Sequence, residues 1–253
     1  MSFVALNRPA AHVARLTIET PGRNALGRAA RAELAAHLDA LECDLDVRAV
    51  VLTGAGETFC SGDDLRELHA AGGATPEGFA AWARLFDRLE RLRPPTIAAV
   101  DGWAVGGGLE LAACCDLRLA ADRAQFTAAG VSNGIVASVW RLPRLIGPAR
   151  AKAMLLTGSP VDAPTALAWG LVTALHPPEV LADAALAVAA RIASRAPLAV
   201  EATKTLASNA LDLPRDQGLA RMAAAQERLA ATADHAEALA AFAEKRAPQF
   251  RRA

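Results

Sequence analysis

Along residues 12–19, apolar Val13, Leu16 and Ile18 are set among polar neighbours, the pattern of a half-exposed strand. Residues 28–44 change period: Leu34, Leu38 and Leu41 recur at helical spacing. A short apolar run follows, Ala49-Val50-Val51-Leu52, closed by Gly54 and Gly56, and it predicts a buried strand. Residues 77–92 read as a second helix, stopped by Pro94-Pro95. Residues 96–100 and 117–121 are two further buried strands. Strands and helices alternating through short turns predict an α/β core.

From Gly147 onward the pattern changes. Alanine dominates, Pro148 sits where a helix would start, and Asp162 can cap a helix that Gly170 closes. Asp234 with Glu237 resembles a capping box ahead of a helix over 238–245. The chain from Pro197 reads as a helical appendage whose alanine-rich faces suit close packing. The expected division is an α/β core over 1–195 and a helical region over 196–253, with no internal repeat and no flexible linker.

Composition narrows the function classes. Of 253 residues 53% are hydrophobic, so a large core can form. Lys and Arg (27) balance Asp and Glu (27), which argues against nucleic acid or an anionic membrane as the main partner. No apolar run is long enough to span a bilayer, and Met1-Ser2-Phe3-Val4 does not open a secretory signal. Cys43, Cys60, Cys114 and Cys115 form no C-x-x-C pair and His12, His37, His69, His176 and His235 are scattered, so no metal site is expected. Reduced thiols and a cytoplasmic location fit this picture.

Two segments carry candidate chemistry. Each runs from a buried strand through a glycine turn towards a helix: Thr53-Gly54-Ala55-Gly56 leading to Cys60-Ser61-Gly62-Asp63-Asp64-Leu65, and Val100-Asp101-Gly102 leading to Gly106-Gly107-Gly108-Leu109-Glu110. Bare glycine backbone at a helix N-terminus presents N–H groups to negative charge, which suits an oxyanion or enolate. Dinucleotide binding is the competing use of such turns. Here the third glycine of the fingerprint is absent at its spacing, and no Gly-Lys-Ser/Thr follows for a phosphate loop. A purely structural role for the glycines stays open on the residues alone.

The two segments, in this order and separation, resemble the paired signatures of the crotonase (enoyl-CoA hydratase/isomerase) superfamily. The resemblance extends from Asn24-Ala25-Leu26 to Phe242-Ala243-Glu244-Lys245-Arg246. It implies an α/β fold, a crotonase-like spiral of ββα units with a C-terminal helical region. It also implies a substrate: an acyl-CoA or enoyl-CoA thioester, with coenzyme A arriving as part of it and no tightly bound cofactor. The oxyanion hole would be the backbone N–H groups of Asp63 and Gly107. Ala25, Ser61 and Asp63 would offer carbonyls to the adenine end of CoA. Phe242 and Lys245 would reach CoA, often in a neighbouring subunit of a homotrimer or a dimer of trimers.

Glu110 stands where the family places one catalytic glutamate; an exposed helix glutamate is the plain alternative. The second family glutamate is missing. After Ala124-Gln125-Phe126-Thr127-Ala128-Ala129 comes Gly130, which cannot transfer a proton, and the stretch up to Trp140 is about three residues short. The pattern resumes at Arg141-Leu142-Pro143. Ser132, Asn133 or Ser138 could hold a water, but none is a good general base near neutral pH. Enoyl-CoA hydration with Glu110 as acid and base is the leading expectation. The alternatives are enoyl-CoA isomerisation, thioester hydrolysis by a single carboxylate, or acyl-CoA binding without catalysis. His69 is expected to be an exposed loop histidine, the alternative being a substitute acid or base. Trp140 either shapes the acyl pocket or packs, and Trp82, Trp103 and Trp169 read as core or interface residues.

Overall fold

The four apolar runs become neighbouring strands of one sheet. In this computed structural model, which describes residues 2–253, β2 (Val13–Ile18), β3 (Ala49–Gly54), β5 (Thr96–Val100) and β7 (Leu117–Ala121) pair in parallel. β1 (Val4–Ala10) adds antiparallel at one edge and β10 (Ala174–His176) adds parallel at the other, giving the order β1-β2-β3-β5-β7-β10. β1 was not expected from the sequence: apart from Val4 its residues are exposed, so it carries no alternating apolar signal.

A second, smaller sheet was also not expected. It is built from β4 (Thr58–Cys60), β6 (Trp103–Val105), β8 (Gln125–Thr127) and β9 (Val161–Asp162), each two or three residues long. The chain therefore repeats a motif of long strand, short strand and helix. β3 and β4 lead to α3 (Leu65–Ala70), and β5 and β6 lead to α5 (Gly107–Cys114). This is the expected α/β spiral, turning between two sheets.

Helices cover both faces of the large sheet. On one face α2 (Arg28–Cys43), α4 (Pro76–Arg91) and α5 bury Leu34, Leu38, Leu89 and Leu111 with Leu16, Leu52 and Val100. On the other, α9 (Pro178–Ala193) lays Leu181, Ala185, Ala189 and Ala193 on Val13, Val51, Ile97 and Leu119. Its alanines at i, i+4 spacing let the helix lie close to the strands. The single turn α1 (Pro21–Asn24) and helices α6 (Arg141–Ile146), α7 (Pro148–Thr157) and α8 (Ala163–Trp169) complete this part. Asp162 caps α8 by accepting from Thr165 N at 2.9 Å, and Gly170 closes it in the left-handed conformation, as expected.

Three helices follow: α10 (Pro197–Ser208), α11 (Arg215–Ala230) and α12 (Ala233–Glu244). Lys204 on α10 pairs with Asp116 at 2.8 Å, and Glu201 takes Arg93 at 2.8 Å and Arg252 Nη2 at 2.8 Å. The capping-box reading is corrected here. α12 starts at Ala233, five residues before the expected 238, and is capped by Thr232, whose hydroxyl accepts from His235 N. Asp234 is buried and accepts the backbone N–H groups of Arg251 and Arg252 at 2.7 and 3.0 Å, fastening the C-terminal tail to α12.

Candidate active site

Parallel pairing of β4 with β6 sets the two glycine turns side by side, since Thr58 lies opposite Trp103 and Cys60 opposite Ala104. Beyond these strands the backbones touch. A Cβ on Gly62 would lie 2.8 Å from Val105 O and 2.9 Å from Gly107 N. A Cβ on Gly108 would lie 2.0 Å from Cys60 O. Only bare backbone allows this approach, and Gly62 also needs its φ of +87°. Gly106 turns the chain into α5 at φ +54°, held by its N–H to Thr127 O at 2.9 Å. Among the described residues, neither the Asp63 N–H nor the Gly107 N–H is spent on another turn or loop carbonyl. The structure thus sets Gly62, the residue before Asp63, against Gly107. Cys60 lies beneath them, fully buried, its thiol pushed up to about 12 and so held neutral.

Glu110 lies one turn into α5 and is 6% exposed, which removes the exposed-helix alternative. Its Oε1 accepts from Arg141 Nη1 at 2.7 Å, while its Oε2 is buried and makes no hydrogen bond among the described residues. Arg141 turns its other nitrogen to Glu90 at 2.6 Å and lies over the Phe86 ring, 5.8 Å from the centroid. One guanidinium therefore joins α4, α5 and α6. A buried carboxylate without such a partner would be costly. The Cys114 thiol beside this cluster is pushed well above its usual range by burial. Arg141 and Glu90 were missed as site residues. They lie 31 and 20 positions from Glu110 in the chain, and only the fold joins them.

The neighbourhood of Asp63 is equally specific. Asp64 caps α3 by accepting from Arg66 N and Glu67 N, so Asp63 does not. The Asp63 carboxylate accepts instead from Arg31 Nη1 and, at 2.7 Å, from Trp82 Nε1. Beside it the loop over residues 22–26 runs along the first turn: Ser61 N donates to Arg23 O at 3.1 Å and Leu26 N to Gly62 O at 2.7 Å. Asn24 fixes this loop. Buried at φ +58°, it donates Nδ2 to Ala55 O at 2.9 Å and Thr58 O at 2.6 Å, an arrangement that suits asparagine's tolerance of left-handed backbone. Ala25, Ser61 and Asp63 are thereby gathered, with Ala25 O also accepting from Thr20 Oγ1 at 2.5 Å. Phe242 and Lys245 are not brought to them. Phe242 is 86% exposed, and Lys245 ends α12, which packs on α11.

Gly130 is walled in. A Cβ there would meet Ile135 O at 2.9 Å and Ala137 N at 3.0 Å, so any side chain would have to displace residues 135–137. Residues 135–137 thus close over the position where the resemblance calls for a second glutamate. Of the polar residues in the shortened stretch Ser138 is buried, at φ +58°, with its hydroxyl unpaired among the described residues, whereas Ser132 and Asn133 are exposed. Trp140 is 62% exposed with Arg144 stacked on it at 4.7 Å, and His69 is exposed on α3, a short helix where a loop was expected. Among the described residues no group of three or more His, Cys, Asp or Glu is arranged to hold a metal ion, and no helix is long and apolar enough to cross a membrane.

A sequence model of the enoyl-CoA hydratase/isomerase family matches residues 8–253. The chain belongs to this family. Among its relatives, the (E)-benzylidenesuccinyl-CoA hydratase of Thauera aromatica is 38% identical over 95% of this chain and 96% of that one. The short-chain-enoyl-CoA hydratase of Clostridium acetobutylicum is 37% identical over 92% of each. The crystal structure of an enoyl-CoA hydratase from Bacillus anthracis superposes with a TM-score of 0.95, covering 100% of both chains at 34% identity. Such likeness over the full length makes this chain an enzyme of the enoyl-CoA hydratase/isomerase family with the crotonase fold. The touching turns and buried Glu110 belong to that enzyme, and Gly130 is where this member departs from the pattern its sequence resembles.

Proposed function

We propose that the protein is an enoyl-CoA hydratase in which the N–H groups of Asp63 and Gly107 receive the thioester oxygen and Glu110 is its one acid–base group. The observation that carries this reading is the contact of the two bare turns, with a buried carboxylate one helical turn beyond. The thioester oxygen accepts both amides, and α5 directs its N-terminal dipole at the charge that develops there. Ala25, Ser61 and Asp63 offer backbone carbonyls to the adenine end of CoA. Phe242 and Lys245 serve the CoA of a neighbouring subunit in a homotrimer or a dimer of trimers, which fits their exposure in a single chain. In that assembly 196–253 acts as a helical unit beside the 1–195 core, and the enzyme works in the cytoplasm.

With one carboxylate the protons still balance. Glu110 Oε2 takes a proton from water as the oxygen bonds to the β-carbon, giving the thioester enolate. The carboxyl group then returns that proton to the α-carbon. Gly130 favours a second reading, enoyl-CoA isomerisation, because one carboxylate suffices to carry a proton between the α- and γ-carbons. Incubation with crotonyl-CoA in deuterium oxide separates them. Hydration removes the enoyl absorbance and yields the 3-hydroxyacyl thioester. Isomerase chemistry places deuterium on carbon without net water addition. Constant absorbance and no deuterium on carbon, at high enzyme concentration, would refute both.

A further inference from the structure

Asp63 creates an electrostatic difficulty at the place proposed for the thioester oxygen. Its amide is a donor to that oxygen, yet its side chain is a carboxylate, and a full negative charge nearby opposes a developing oxyanion. Two groups answer it. Arg31 Nη1 forms an ion pair with Asp63 Oδ1, and Trp82 Nε1 donates to the same oxygen at 2.7 Å. The Arg31 side chain is 11% exposed, and its Nη1 also donates to Leu26 O at 3.1 Å. Leu26 in turn donates its N–H to Gly62 O at 2.7 Å, so the guanidinium is tied to the turn it serves.

Trp82 reaches the other turn as well. Its Cη2 and Cζ2 lie 2.9 and 3.0 Å from where a Gly107 Cβ would stand, so the indole edge rests on bare backbone. The ring is also held by the Arg31 guanidinium, 5.1 Å from its centroid, and by Phe86, stacked at 4.9 Å. One rigid side chain thus holds Asp63 by its N–H and meets Gly107 by its ring.

We propose that Arg31 and Trp82 are positioning residues of the oxyanion hole, neutralising the Asp63 carboxylate and setting the spacing between the Asp63 and Gly107 amides. The inference rests on the hole proposed above. It predicts that charge, as well as shape, is what Arg31 contributes.

The test uses the full-length protein and two readouts: turnover of crotonyl-CoA, and the infrared carbonyl stretch of bound butyryl-CoA labelled with 13C at the thioester carbon. Arg31→Met lowers kcat by about 10–100-fold, with KM changed less than about threefold, and returns the stretch towards its value in solution. Adding Asp63→Asn to Arg31→Met recovers most of both losses, because the unpaired charge is gone. Arg31→Lys keeps the charge and loses less than Arg31→Met. Trp82→Phe keeps the ring but not the N–H, and lowers kcat by roughly 3–10-fold.

If Arg31→Met retains both turnover and frequency, the clamp is refuted while the hole stands. A double variant no better than Arg31→Met refutes the charge role. Should Arg31→Met fail to fold, Trp82→Phe decides, and unchanged readouts there overturn the proposal. A wild-type protein that neither shifts the stretch nor turns over any enoyl-CoA overturns the hole itself, and this inference with it.

Discussion

Glu110→Gln lowers turnover of a short-chain enoyl-CoA by about 10²–10⁴-fold, the range spanned by a positioned acid–base group. Glu110 Oε1 is engaged by Arg141, Oε2 has no partner among the described residues, and Gly130 supplies no second carboxylate. On the proposed reading, the protons of the reaction pass through that Oε2 oxygen. The glutamine fits the same space, and its carbonyl can still accept from Arg141, so the fold is expected to survive with a cost near 1 kcal/mol. Removing the partner instead has the opposite signature. Arg141→Met leaves Glu110 buried without a counter-charge beside Glu90, and breaking such a pair costs about 3–5 kcal/mol. Thermal melts and stopped-flow absorbance of crotonyl-CoA on the two variants separate the roles. A Glu110→Gln enzyme keeping more than a tenth of wild-type kcat would remove Glu110 from the chemistry.

Much of the fold was legible because it is written in local pattern. Val50, Val51 and Leu52 are buried on both faces of a parallel sheet, and such strands announce themselves as apolar runs. β1 lies at an edge with exposed side chains, and the strands of the small sheet are too short to show a period, so neither left a signal. Asp234 misled for a related reason. It sits near a helix start like a cap, but its carboxylate is bound by the tail at Arg251 and Arg252, and no local rule foresees a partner 17 residues away.

The site divides along the same line. Glycine turns and a glutamate at fixed spacing were readable, since backbone chemistry needs particular residues in sequence. The groups that brace them were not. Arg31, Trp82, Glu90 and Arg141 come from α2, α4 and α6, and each looks like an ordinary helix residue until the sheet places these helices around α5. Trp82 reads as a core or interface residue; it is buried, and it also donates its N–H to Asp63. The stretch before Arg141 also reads as shorter than the family pattern it resembles. That residues 135–137 close on Gly130 required the fold.

Gly108→Ala should be among the most damaging single-methyl changes in the protein's centre. The added Cβ would stand 2.0 Å from Cys60 O and 2.7 Å from Cys60 C, both backbone atoms of a strand already paired to β6. Nothing there can rotate away, so α5 and β4 must part. Overpacking against side chains costs about 1–3 kcal/mol, and a rigid backbone wall places this site at or beyond the upper end. The catalytic cost is separate. Parting α5 from β4 moves the Gly107 amide relative to Asp63, and a shift on the order of 1 Å at reacting groups costs about 10²-fold in rate. Gly78→Ala is the matched control: the nearest atom is Thr75 Oγ1 at 3.5 Å, in the first turn of α4. That substitution should leave kcat unchanged and stabilise the fold by about 0.4–1 kcal/mol. Denaturant midpoints and kcat for both variants test the pair. A Gly108→Ala protein with normal turnover would mean that the spacing of the two turns does not govern the chemistry.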